Sequence, residues 1–188
     1  MQIEETSLPG VLVFTPKRFG DERGWFSEVF RDDLFRAAAG DVGFVQDNHS
    51  LSRPVGTVRG LHFQRHPTAQ GKLIRCVAGA VLDVAVDIRV GSPTFGRHVA
   101  VELSAETGRQ LWVPVGFAHG FCTLVPDTEV VYKVTAPYSA ADDGGILWDD
   151  PALGIAWPVT GETALLSDKD RRQPRLADLA PVFTYAPA

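Results

Sequence analysis

Nowhere in the 188 residues is there an unbroken apolar run of the roughly 18 residues that a membrane-spanning helix needs. The opening Met1-Gln2-Ile3-Glu4-Glu5 is acidic and has no apolar core behind it, so it does not read as a secretory leader. Cysteine is scarce. Cys76 and Cys122 lie far apart in apolar, strand-like surroundings, which suits two buried free thiols in a reducing cytosol better than a disulfide. A cytoplasmic location is therefore the expectation. A basic excess is missing as well: the net charge is −5, which argues against a broad nucleic-acid footprint. Lysine is rare, with Lys17, Lys72, Lys133 and Lys169 against fourteen arginines, so each isolated lysine invites a specific question. No internal repeat, low-complexity stretch or charged tail is present.

What the chain does have is turn formers. Its 18 glycines and 13 prolines punctuate short apolar runs, and 45% hydrophobic residues are enough for a core. Strands are predicted at 11–15 and 25–30 around a turn at 20–24, then at about 57–64, 72–77, 80–88, 97–103, 109–113, 119–125, 128–136 and 146–148. Asp32 to Ala39 is the best helix candidate, with acids in its first turn and Gly40 as its stop. Ser167 is placed to cap a short turn over Asp168-Lys169-Asp170. The expectation is one all-β domain over 1–188, a sandwich or closed barrel with a few short peripheral helices.

Strand parity adds detail. Leu82, Val84, Val86 and Ile88 share one face of their strand, and Asp83, Ala85 and Asp87 share the other, so an acid faces either a lined polar cavity or solvent. Arg59 and His62 have opposite parity. Both reach one cavity only if the strand bulges, and Gly60 is the plausible place for that.

Two histidine segments carry the chemistry. Gly108 and Pro114 are followed by Pro114-Val115-Gly116-Phe117-Ala118-His119, a spacing that resembles the second motif of the cupin superfamily of β-barrels. The segment from Gly56 to Gln64 resembles the first cupin motif with ligands missing. Gln64 stands where a second His would be, Thr68 or Ala69 where a Glu would be, and Thr123 replaces the Asn of the second motif. A metal cupin needs about three or four N/O side chains around its ion. The resemblance implies a cupin-type jelly-roll barrel that has kept its cavity and given up the metal.

Further segments narrow the family: Phe19-Gly20-Asp21-Glu22-Arg23-Gly24-Trp25-Phe26-Ser27-Glu28, Gln46-Asp47-Asn48-His49-Ser50, Arg59-Gly60-Leu61-His62-Phe63-Gln64, Gln70-Gly71-Lys72-Leu73, Tyr132-Lys133-Val134 and Leu147-Trp148-Asp149-Asp150-Pro151. In this order, and over about residues 3–176, they resemble the dTDP-4-dehydrorhamnose 3,5-epimerases and related sugar-nucleotide epimerases. The resemblance implies epimerisation of dTDP-4-dehydro-6-deoxy-D-glucose at C3 and C5, beside a C4 ketone that acidifies both protons, with no metal or redox cofactor. By the same resemblance His62 is the base, paired with Asp170; Lys72 lies near the C4 oxygen; and Tyr132 is the proton donor on the opposite face. Arg23, Arg59 and Lys169 match phosphate-contacting positions. Glu28, Gln46 and Asn48 match nucleotide positions, Phe26 and Tyr138 would sandwich the thymine, and His119 belongs to the sugar pocket, with Asp83 as its parity-based partner. Asp143 sits where relatives carry Glu, one methylene shorter.

The resemblance further implies a homodimer in which N-terminal strands extend the partner's sheet, so that residues near Arg23 and Glu28 serve a neighbouring site. It divides the chain into a nucleotide and dimer region (1–50), a barrel core (51–150) and a C-terminal cover (151–188). Three rival readings stand beside it. A mono-epimerase at C3 or C5 in secondary metabolism would label one carbon instead of two. A metal-dependent cupin enzyme would show metal on analysis. A non-catalytic sugar-nucleotide barrel would bind without exchanging protons.

Overall fold

The computed structural model describes residues 1–187. In chain order the elements are β1 (Gln2–Glu5), β2 (Leu12–Thr15), β3 (Arg18–Asp21), β4 (Gly24–Ser27), α1 (Asp32–Ala39), β5 (Gln46–Ser52), β6 (Val58–Gln64), β7 (Lys72–Ala78), β8 (Ala80–Asp87) and β9 (Arg89–Val90). Then come β10 (His98–Ser104), β11 (Gln110–Val113), β12 (Phe117–Thr123), β13 (Thr128–Val134), β14 (Asp143–Gly145) and β15 (Phe183–Thr184), with short 3-10 turns at Asp170–Arg172 and Leu176–Asp178. Two sheets carry the fold, a six-stranded one in the order β1-β2-β11-β7-β13-β5 and a five-stranded one in the order β10-β8-β12-β6-β14. The architecture is the all-β fold expected from the turn pattern and the cupin-like jelly roll that the resemblance implies.

Three apolar layers hold the sheets. Between them lie Val13, Ile74, Leu111, Val113 and Val130 of the larger sheet and Val81, Ala85, Leu103, Phe117 and Phe121 of the smaller. The outer face of the smaller sheet, with Leu61, Val84 and Val86, is covered by Leu153, Leu176 and Phe183 from the C-terminal segment. This cover is why β8 shows its unbroken apolar face outward and its acids inward. On the other side α1 presses Phe35 onto Phe14 and Trp112 of the larger sheet, with ring centroids 5.6 Å and 5.0 Å apart. Gly40, at φ +90°, ends the helix as its sequence position suggests. Both cysteines are buried free thiols, pushed up to about 11 by burial.

Three boundaries depart from the sequence reading. The strand expected at 25–30 stops at Ser27, and the one expected at 146–148 forms instead at Asp143–Gly145, pairing Gly145 with His62. Gln46–Ser52 is a full strand on the edge of the larger sheet, paired with β13 through all seven residues. Its sequence gives no strand signal because it alternates in exposure but not in hydrophobicity: Gln46, Asn48 and Ser50 are half-buried, while Asp47, His49 and Leu51 face solvent.

The bulge lies where parity demanded it. His62 pairs with His119 and Arg59 with Phe121, so Gly60 and Leu61 together oppose the single residue Gly120. Gly60 has φ +142°, and a Cβ on it would sit 2.5 Å from the Gly120 Cα. Gly60→Ala is therefore expected to destabilise the protein by about 2–4 kcal/mol, through backbone strain plus overpacking. Urea unfolding checks this; an unchanged midpoint would contradict it.

Candidate active site

The bulge turns Arg59 and His62 to the same side, into a cleft that opens between the sheets toward their edge strands β5 and β14. One lobe, about 260 Å³, is lined by Arg59, His62, Lys72, His119, Tyr132 and Asp170. A second lobe of about 150 Å³ shares His62, Lys72, Tyr132 and Lys169 and adds Gln46, Asn48, Tyr138 and Asp143. Eleven of the residues expected at the site thus line one continuous cleft. Ser50, Ser167 and Gln64 join them without having been singled out as site residues. Ser50 shares the strand face of Gln46 and Asn48, a signal that becomes readable only once 46–52 is taken as a strand.

His62 Nε2 lies 2.5 Å from Asp170 Oδ1, a hydrogen bond that the carboxylate accepts. Asp170 is fixed on both sides. Its backbone N–H donates to Ser167 Oγ at 3.1 Å, and the Ser167 hydroxyl donates to Asp170 Oδ2 at 2.8 Å, the short capped turn read from the sequence. Burial alone would raise the Asp170 carboxyl. The His62 imidazole, Ser167 and Lys169 outweigh it, so the group lies below the usual carboxylate range and stays ionised. An ionised carboxylate can only accept, so the proton sits on Nε2 of His62 and Nδ1 keeps its lone pair.

The Lys72 ammonium is enclosed by the cleft walls, 3.4 Å from the His62 carbonyl oxygen. Desolvation lowers it to about 8, against the attraction of Asp143 and Asp83. Burial raises the Tyr132 phenol, and the Arg59 guanidinium partly offsets this. Arg59 is itself held by Ser52 Oγ at 3.1 Å and the Leu51 carbonyl at 3.3 Å. His119 Nε2 lies 2.9 Å from Asp83 Oδ1, the pairing that parity suggested.

In the second lobe Gln46 Nε2 donates to Asn48 Oδ1 at 2.8 Å, and the Tyr138 N–H donates to Gln46 Oε1 at 3.1 Å. Asp143 pairs with Lys169. Gln64 does no comparable work in the open cleft. Its Nε2 donates to the Thr68 carbonyl at 2.6 Å and the Pro137 carbonyl at 3.1 Å, and its Oε1 accepts from the Ser139 N–H at 2.9 Å. Among the described residues no three His, Cys, Asp or Glu side chains converge as a metal site.

Arg23, Phe26 and Glu28 lie elsewhere. They belong to or follow the β3–β4 hairpin, where Arg23 pairs with Asp21, Glu28 comes within 4.0 Å of Arg31, and Phe26 is 70% exposed. Phe26 and Tyr138, the two expected thymine-sandwiching rings, are both largely unpacked in the single chain. His49 pairs with Glu129 on the outer face of the larger sheet, away from the cleft.

A histidine held by a buried carboxylate, facing an ammonium and a phenol across one cavity, is equipped to move a proton at carbon, and with the barrel around it this defines an isomerase on a cupin-type scaffold. Comparison with known proteins is specific. The chain belongs to the dTDP-4-dehydrorhamnose 3,5-epimerase family, whose model matches residues 5–178. It is 60% identical to a dTDP-4-dehydrorhamnose 3,5-epimerase of Sinorhizobium fredii over 98% of this chain and 94% of that one. Its fold superposes with TM-score 0.94, at 43% identity and 99% coverage of both chains, on dTDP-6-deoxy-D-glucose-3,5-epimerase from Legionella pneumophila in complex with dTDP-4-keto-L-rhamnose. A variant of a 3′-monoepimerase from Streptomyces bikiniensis in complex with dTDP is also similar, with TM-score 0.89 and 37% identity over 96% of this chain and 92% of that one.

Proposed function

We propose that the protein converts dTDP-4-dehydro-6-deoxy-D-glucose to dTDP-4-dehydro-L-rhamnose by inverting C3 and C5. The observation that carries this reading is the His62–Asp170 pair at 2.5 Å, set in one cleft with Lys72 and Tyr132. Nδ1 of His62 takes the proton from a carbon beside the ketone, and Asp170 stabilises the imidazolium that forms. The bonding pair moves onto the C4 oxygen as an enolate, which the Lys72 ammonium stabilises. Tyr132 returns a proton to the opposite face of the carbon, and Arg59 offsets the charge left on the phenolate. The cycle closes when His62 gives up its proton and Tyr132 regains one.

Arg59 and Lys169 hold the diphosphate by charge-assisted hydrogen bonds. Gln46, Asn48, Asp143 and the open face of Tyr138 receive the nucleoside. Arg23, Phe26 and Glu28 complete that end from a second copy, in a homodimer whose N-terminal strands extend the partner's sheet; their exposure on a hairpin outside the chain's own cleft supports this arrangement. No described helix is long and apolar enough to cross a membrane. We place the enzyme in the cytoplasm, where its two free thiols stay reduced.

The test is incubation with the substrate in D2O, with NMR at C3 and C5. Label at both carbons and a rhamno-configured product after ketone reduction support the double epimerase. Label and inversion at one carbon make it a mono-epimerase, and no label at either, with dTDP bound, sinks the catalytic reading. Tyr132→Phe is expected to keep exchange while slowing inversion about 10²-fold, because His62 still removes and returns protons on its own face. Inversion at the wild-type rate would remove Tyr132 from the donor role.

A further inference from the structure

One buried carboxylate in the barrel has no explanation in the fold. Asp83 on β8 has no exposed surface, and only Oδ1 is engaged, by His119 Nε2 at 2.9 Å; Oδ2 has no hydrogen-bond partner among the described residues. The contrast with its neighbours is sharp. Asp87, on the same strand face, accepts from the Arg89 backbone and guanidinium and from the Ser92 and Thr94 hydroxyls. Asp170 is engaged at both oxygens. A half-satisfied buried carboxylate weakens a fold, and a neutral residue of the same shape is usually tolerated as well or better. Packing therefore gives no reason for a charge at this position.

The surroundings of Asp83 give one. His119 stands directly across from His62 in the β12–β6 pairing, so the cleft holds two histidine–carboxylate pairs side by side, each joined through Nε2. The proton-transfer scheme uses only one of them. The Asp83 charge also acts on Lys72, opposing the desolvation of its ammonium. Asp83 is faced by His119 on β12 and by Lys72 and Cys76 on β7, while β10 brings the non-titrating Val101 opposite it. Lys72 is faced in addition by Asp143 on β14, Lys169 of the C-terminal segment, His62 on β6 and Tyr132 on β13. Of these, Asp143 is already paired with Lys169, and Asp170 with His62. Asp83 Oδ2 is thus a fully buried carboxylate oxygen with no hydrogen-bond partner among the described residues, and its charge adds to that of Asp143 in attracting the ammonium.

We infer that Asp83 is a positioning residue of the reaction, a buried counter-charge that orients His119 and, with Asp143, helps hold Lys72 in its ammonium form; the inference rests on the isomerase reading above. The Nε2–H of His119 donates to Asp83, which fixes the ring and leaves Nδ1 as its remaining polar atom on a residue lining the cleft. Lys72 meanwhile keeps the charge that the enolate oxygen requires.

The test is Asp83→Asn, which keeps the shape and removes the charge. Thermal unfolding is expected at an unchanged or higher midpoint. Carboxylates that orient a functional histidine are typically worth about 10–100-fold, and a loss of that size is expected in kcat with KM little altered. The high-pH limb of activity is expected at lower pH than in the wild type. A readout independent of catalysis is the pH titration of the lysine side-chain carbons by NMR, where four lysines make assignment simple and Lys72→Arg identifies the signal. Lys72 is expected to titrate at lower pH in D83N. An unmoved Lys72 titration overturns the inference. So does a D83N protein that fails to fold or melts early, because the carboxylate would then serve the fold. If the wild-type protein exchanges no substrate proton, the isomerase reading fails on its own, and the Lys72 titration still decides the counter-charge.

Discussion

Replacing His62 with alanine is expected to lower deuterium exchange at both C3 and C5 by about 10²–10⁴-fold, the range over which a positioned general base contributes. Binding of dTDP, followed by calorimetry, is expected to stay close to wild type. The two measurements separate because the side chains proposed for the diphosphate and nucleoside, Arg59, Gln46, Asn48 and Tyr138, make their hydrogen bonds to Ser52, Leu51 and one another and not to His62. Loss of a single carbon's exchange in this variant would mean that a second base serves the other carbon. Retained exchange at both would remove His62 from the chemistry altogether. Equal loss of binding and exchange would point to a collapsed cleft, and circular dichroism would show it.

The second large effect concerns Lys72. Lys72→Ala is expected to cost about 10²–10³ in kcat, the usual consequence of removing a donor from a developing oxyanion. The wild-type pH profile gives an independent handle. The enclosed ammonium lies at about 8, far below a lysine in water, because the cleft desolvates it. The active form is the protonated one, so activity is expected to fall as pH rises through about 8 and not as pH falls through it. Lys72→Arg retains a positive charge at any accessible pH, so whatever activity this variant keeps should lose the high-pH limb. If the limb persists unchanged in the arginine variant, it belongs to another group.

Much of this was readable in advance, and the exceptions share a cause. Strands such as Ala80–Asp87 announce themselves because their neighbours demand apolar side chains; Asp32–Ala39 does so because charge and a stop glycine bracket it. Gln46–Ser52 carries no such mark. It lies on a sheet edge with one face toward the cleft and the other toward water, so neither face asks for hydrophobicity. A strand built to line a polar cavity hides from any pattern based on burial. The shift of the last long-sheet strand to Asp143–Gly145 has a similar origin, since two of its three residues are glycines chosen for closeness and not for propensity: a Cβ on Gly145 would lie 2.7 Å from the Leu61 carbonyl oxygen.

The cleft was legible in a different way. His62, Lys72, Tyr132 and Asp170 come from β6, β7, β13 and a turn near the C-terminus, and no local pattern links them. They were found together through ordered motifs. Physics contributed the bulge at Gly60 and the pairing of His119 with Asp83, both from parity. What parity could not supply was the location of Arg23, Phe26 and Glu28, which lie on or beside an exposed hairpin outside the chain's own cleft, where strand alternation has no buried face to report.

The amide of Gln64 constrains what this barrel can become. By its resemblance to the first cupin motif, the segment from Gly56 to Gln64 would place a second His at Gln64; here Gln64 ties together Thr68, Pro137 and Ser139, beside Tyr138. A histidine has two ring nitrogens and cannot reproduce a planar amide's two donors and acceptor at once. Gln64→His would therefore release the loop beside the second lobe.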